Sequence, residues 1–128
     1  KEAETQTADN HHMTLILALS YSAKWELVNA VKKIAEKSNS GELAVDDICD
    51  ETISKHLTTS EIPDPDLMIR TSGEHRISNF LLWQMAYTEL CFVDKMWPDF
   101  RKSDLLQAML DYQRRERRFG KTTDQLSQ

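Results

Sequence analysis

The sequence predicts an α/β protein with a mostly parallel sheet flanked by helices. Three observations carry that expectation. Residues 13–19 (MTLILAL) form a near-continuous apolar run of strand length, which suits a strand buried on both faces. Two segments, 23–38 and 103–117, repeat their apolar residues at helical spacing. Between them, short apolar runs end in polar or turn-forming residues, as strands of a parallel sheet do. With 128 residues the chain is one domain's worth of sequence.

The elements follow in order. Residues 1–12 are polar, hold no large apolar side chain before His11, and read as a flexible tail or a helix end. After the run at 13–19, Ser20, Tyr21 and Ser22 form a short loop with an N-cap candidate. Trp25, Val28, Val31, Ile34 and Ala35 then define the expected inward face of an amphipathic helix over 23–38, which Asn39, Ser40 and Gly41 terminate. Residues 45–57 read as a weaker helix with Ile48, Ile53 and Leu57 inward and Asp46, Asp47 and Asp50 at its dipole-favoured N-terminal end. Pro63 and Pro65 break the chain. Leu67, Met68 and Ile69 make a short strand ending at Arg70, followed by a polar loop at 71–76. Residues 80–87 (FLLWQMAY) read as helix, 90–93 as strand, and Trp97-Pro98-Asp99 as a turn. The helix over 103–117 would bury Leu105, Leu106, Met109 and Leu110. Residues 122–128 read as a flexible tail.

Composition narrows the function classes. The longest apolar run, Leu15 to Leu19, is far too short to span a membrane. The leading KEAETQTADN carries no signal-peptide pattern. Two cysteines without CxxC spacing fit a reducing compartment and argue against a disulfide scaffold or zinc ribbon. The net charge of −5 argues against nucleic acid as a partner, despite five bases against one acid between Arg114 and Lys121. That cluster suits a helix C-terminus or a small anion.

The segment Arg70 to Asn79, RTSGEHRISN, is the most informative. In open α/β sheets, ligands bind beyond the carboxyl ends of the strands. A loop there with two arginines, serines and a glycine suits a phosphate-bearing ligand, because the guanidinium fork binds phosphate oxygens bidentately. The alternative is a solvated loop whose charges pair as Glu74–Arg70 or Glu74–Arg76. Glu89, at the edge of the apolar stretch, is either a carboxylate ligand for Mg²⁺ or an exposed helix-end residue. Trp25, Trp83, Trp97, Phe80, Phe92 and Tyr87 suit a core or an interface better than a stacking platform. No P-loop, GxGxxG or GxSxG pattern occurs.

The stretch DPDLMIRTSGEHRISNFLLWQMAYTELCFVDKMWPDF resembles the signature region of the cis-prenyltransferases, with the undecaprenyl diphosphate synthases of bacteria the close match. MTLILALSYSAKWEL resembles the family's central strand and following turn, and DYQRRERRFG its C-terminal end with an R-x-G motif. Ser22-Ala23 and Ser72 depart from it where glycines are common. The resemblance implies the cis-prenyltransferase fold, here its C-terminal portion, and condensation of isopentenyl diphosphate with an allylic diphosphate such as farnesyl diphosphate, with Mg²⁺. It implies that Arg70, Arg76 and Ser78 hold the isopentenyl diphosphate, with Glu74, His75 and Asn79 in support. It implies that Glu89 binds Mg²⁺ and that Arg118 and Gly120 close over the diphosphate in a neighbouring subunit's site. A homodimer in the cytoplasm, touching the inner face of the membrane through its lipid product, is the implied setting. The family's M-D-G-N-like motif, which carries a catalytic aspartate, does not occur here. The chain therefore reads as residues 1–128 of a C-terminal portion, inactive by itself. A non-catalytic partner subunit and a generic phosphate-binding α/β module are the alternative readings.

Overall fold

The computed structural model describes residues 2–118. A short helix α1 (Glu2–Gln6) leads into exposed chain, and α2 (Ala23–Asn39) follows. A single 3-10 turn, Val45–Asp47, precedes α3 (Asp50–His56). Strands β1 (Leu67–Arg70) and β2 (Glu89–Phe92) then pair in parallel, Leu67 opposite Glu89 and Arg70 opposite Phe92. A second 3-10 turn, Trp97–Asp99, leads into α4 (Lys102–Gln113). The expected tail at 122–128 lies outside the described residues.

The α/β class and the parallel pairing are as predicted, but three elements differ. Residues 13–19 form no strand and are exposed, Leu19 at 84%. A parallel strand needs partners for its amides and cover for both faces, and the described chain supplies neither. The weak helix expected over 45–57 is split into the 3-10 turn and α3. Residues 80–87 form consecutive turns rather than a helix, with Leu81 at φ +45°.

The faces of the helices also differ. Ala23, Glu26, Ala30 and Ile34 are the buried residues of α2, while Trp25, Val28 and Val31 are exposed. In α4 only Ala108 is buried, and Leu105, Leu106, Met109 and Leu110 are exposed. α4 packs inward on a small residue, α2 on two alanines, Glu26 and Ile34, and both helices turn most of their large apolar side chains outward. Trp97 and Tyr87 are also exposed. Apolar surface of this extent marks faces that associate with something else.

Glu26 holds the interior together. It is 1% exposed and is the one large, fully buried side chain among the described residues. Its carboxylate accepts from the Thr58 amide at 2.8 Å, from the Thr58 and Tyr21 hydroxyls, and from Gln84 Nε2 at 3.0 Å. Gln84 Nε2 also donates to Thr59 Oγ1 at 2.8 Å. One carboxylate thus ties α2 to the loop after α3 and to the turns before β2. Burial pushes its pKa up, but the bonds from Thr58, Tyr21 and Gln84 outweigh that and hold it below the usual glutamate range.

Tyr21 is affected in the opposite sense. Burial, together with its bond to the Glu26 carboxylate, pushes its pKa up to about 12. Stability from the neutral phenol is complete below the ordinary tyrosine pKa of about 10 and is lost as pH rises through the folded value. Tyr21→Phe should cost about 1 kcal/mol at neutral pH. It should also flatten the alkaline limb of a thermal-unfolding pH series.

Candidate diphosphate-binding site

Arg70 is the last residue of β1, so its side chain leaves the carboxyl end of the sheet. It is half-buried, and its Nε is buried without a hydrogen-bond partner. A buried guanidinium N–H left unsatisfied costs free energy that an anion can restore. Arg70 lines a cavity of about 230 Å³ between β1 and the chain at Ile77, Phe80 and Met85.

The loop that follows is held at both ends. The Ser72 amide donates to the Lys95 carbonyl at 2.7 Å and the Gly73 amide to the Val93 carbonyl at 3.0 Å. Ser72, Gly73, Ser78 and Asn79 all have positive φ. A Cβ on Gly73 would meet its nearest atom, Asp94 Oδ1, only at 3.5 Å, so backbone conformation rather than space favours glycine there. Non-glycine residues at positive φ carry strain, and four of the five in the described chain lie between Ser72 and Leu81.

Within the loop, Arg76 is exposed and ion-paired with Glu74, one of the two pairings the sequence left open. Ser78 is exposed. The exposed His75 ring lies against Phe92 at the carboxyl end of β2, with centroids 4.9 Å apart. Asn79 caps α2: its Oδ1 accepts from the Lys24 amide at 2.9 Å and its carbonyl from the Ala23 amide at 3.1 Å. The loop thus runs from Arg70 at the carboxyl end of β1, past His75 against Phe92 at the carboxyl end of β2, to Asn79 on the first turn of α2, with the Glu74–Arg76 pair and Ser78 along the way.

Glu89 and Arg118 do not join them. Glu89 opens β2, across from Leu67, three residues of strand from the Arg70–Phe92 end, or roughly 10 Å. Arg115 donates to its carboxylate at 2.8 Å and to the Leu90 carbonyl at 2.9 Å. Beside it, Arg117 donates to Asp66 at 2.5 Å. Arg118 is exposed and bonded to Glu116 at 3.0 Å. Gly120 lies outside the described residues. The arginine-rich run meets acids at the amino end of the sheet, because Asp66 immediately precedes β1 and Glu89 begins β2 there. Within one chain, the anion loop and the expected Mg²⁺ ligand occupy opposite ends.

Sequence reasoning missed the Glu26–Tyr21–Thr58–Gln84 cluster and the pairing of Arg115 with Glu89. The first had a signal: Ala23, Glu26, Ala30 and Ile34 share one helical face at spacings of three and four. The second had none, since the pairing spans 26 residues.

Residues 1–120 match the protein family described as "Putative undecaprenyl diphosphate synthase". An isoprenyl transferase of Porphyromonas gingivalis is 53% identical over 122 residues, covering 95% of this chain and 48% of the relative. A ditrans,polycis-undecaprenyl-diphosphate synthase ((2E,6E)-farnesyl-diphosphate specific) of Haemophilus ducreyi is 52% identical over 119 residues, covering 93% and 49%. The crystal structure of lavandulyl diphosphate synthase from Lavandula x intermedia, in complex with dimethylallyl diphosphate, superposes with a TM-score of 0.87 at 44% identity. It is covered over 52% of its chain by 94% of this one. The chain spans about half the length of the curated relatives it matches. The signature residues, the parallel sheet and these likenesses agree, and the chain belongs to the undecaprenyl diphosphate synthase family of prenyltransferases.

Proposed function

We propose that this chain supplies the isopentenyl-diphosphate site of a cis-prenyltransferase that condenses isopentenyl diphosphate with farnesyl diphosphate to make undecaprenyl diphosphate. The observation that carries the reading is Arg70, at the carboxyl end of β1, with a buried and unpartnered Nε beneath a strained, doubly anchored loop. In this reading Arg70 and Arg76 hold the diphosphate, and the Ser78 hydroxyl adds a neutral donor. Arg76 exchanges Glu74 for the ligand, which costs little because an exposed ion pair is weak. Holding the diphosphate fixes the isopentenyl end for reaction, and such positioning lowers the barrier by removing orientational freedom.

Mg²⁺ belongs to the family reading, where it would supply charge neutralisation at diphosphate oxygens. The described residues of one chain do not fit it: no group of three His, Cys, Asp or Glu side chains gathers as a metal site, and Glu89 is bonded to Arg115. Glu89 as a metal ligand requires release from Arg115. Residues 1–128 are read as the C-terminal portion of a single domain, functioning as a homodimer. No helix among the described residues is long and apolar enough to cross a membrane. A cytoplasmic enzyme meeting the membrane surface through its product is the proposed setting, with no nucleic acid as partner.

Calorimetric titration tests the reading. Isopentenyl diphosphate should bind with a clear preference over ADP at equal concentration. Equal affinity for the two would instead support a generic phosphate-binding module.

A further inference from the structure

We propose that Asn79 is a positioning residue for the diphosphate loop, clamping the end of that loop onto the first turn of α2 and so fixing Arg76 and Ser78 relative to Arg70. The inference rests on the function proposed above, but its structural argument is independent of it.

The first amides of a helix have no partner within the helix. In α2 all of them are accounted for. The Ala23 amide donates to the Asn79 carbonyl at 3.1 Å and the Lys24 amide to Asn79 Oδ1 at 2.9 Å. The Trp25 amide donates to Ser22 Oγ at 3.3 Å, and the Glu26 amide begins the regular helical pattern by donating to the Ser22 carbonyl at 3.0 Å. Asn79 Nδ2 donates to the same Ser22 Oγ at 2.9 Å. One residue, more than fifty positions away in sequence, thus supplies two of the three caps and steadies the third. Because these amides are satisfied, the α2 N-terminus serves the loop as an anchor rather than as an anion site.

The anchor matters because of what lies between it and the other end of the loop. Ser72 and Gly73 are bonded to the chain after β2, and Asn79 is bonded to α2. Only residues 74–78 remain between these points, and they include Arg76 and Ser78. Asn79 sits at φ +61° and Ser78 at +50°, a conformation asparagine tolerates better than most residues. Asparagine also offers both an acceptor for the Lys24 amide and a donor for Ser22, which an ionised aspartate, an acceptor only, does not. Without the clamp the loop is tethered at one end and the arginine and serine lose their fixed direction.

The test is calorimetric titration of isopentenyl diphosphate into the wild type, Asn79→Ala and Asn79→Gly, with amide exchange followed at Lys24. Glycine accepts the left-handed backbone, so Asn79→Gly removes the side-chain bonds without adding strain and carries the test if the alanine variant does not fold. Both variants should lose Lys24 protection and bind about tenfold more weakly, because the loosened loop must then be ordered on binding, with stoichiometry unchanged. A merely structural role would lower the melting temperature or the number of sites and leave Kd unchanged. Wild-type affinity in Asn79→Gly, with Lys24 protection lost, overturns the inference. A wild type that does not bind isopentenyl diphosphate overturns the function reading, and this inference with it.

Discussion

Glu26→Ala should lower folding stability by about 3–5 kcal/mol, measured by denaturant titration, enough to unfold many single domains. The carboxylate is buried and accepts four hydrogen bonds from three residues. Truncation leaves the Thr58 amide and hydroxyl, the Tyr21 hydroxyl and Gln84 without their acceptor, and opens a cavity where the side chain was. Glu26→Gln keeps the volume but sets an amide N–H₂ against groups that donate, so it should recover only part of the loss. The sign of the pH dependence follows from the lowered pKa. The contribution is complete above the unfolded glutamate value of about 4.3 and is lost as pH falls through the lower folded value. The acid limb of the stability curve should therefore flatten in Glu26→Gln. An unchanged acid limb would mean that the cluster does not hold an ionised carboxylate.

Arg70→Ala should weaken isopentenyl diphosphate binding roughly 100-fold while leaving stability nearly unchanged. The loss follows from removing a charge-assisted donor set at the mouth of the site. Stability is spared because the Nε finds no partner within the protein, so its removal relieves an unsatisfied group. Arg70→Lys should restore only part of the affinity, since an ammonium cannot reproduce the planar fork. An Arg70→Ala variant that binds normally but melts well below the wild type would make Arg70 a structural residue.

How much of this was legible in the sequence depends on how local each cause is. α2 was readable because Ser22 caps it and Gly41 follows its end. β1 was readable because Pro63 and Pro65 precede an apolar run that stops at Arg70. The loop after Arg70 was readable because a polar, glycine-bearing segment follows the apolar run of the strand. The inward faces were not readable. In α2, large apolar residues and the Ala23–Glu26–Ala30–Ile34 stripe compete for the interior, and the buried hydrogen-bond cluster claims the second. Residues 13–19 carry a strand's composition, but a strand exists only where partners pair with it. The chain at 80–87 is apolar enough for a helix, yet the left-handed residues from Ser78 to Leu81 start it in turns. Asn79 was named from the sequence as a supporting residue of the loop, while its bonds to α2 span more than fifty residues and leave no local trace.

The most direct test of the central claim is a crystal structure of the protein with isopentenyl diphosphate bound. The diphosphate is expected beyond the carboxyl end of β1, with the Arg70 guanidinium in contact and Arg76 turned from Glu74 toward it. A diphosphate seated instead on Arg115 and Arg117, at the amino end of the sheet, would contradict the account.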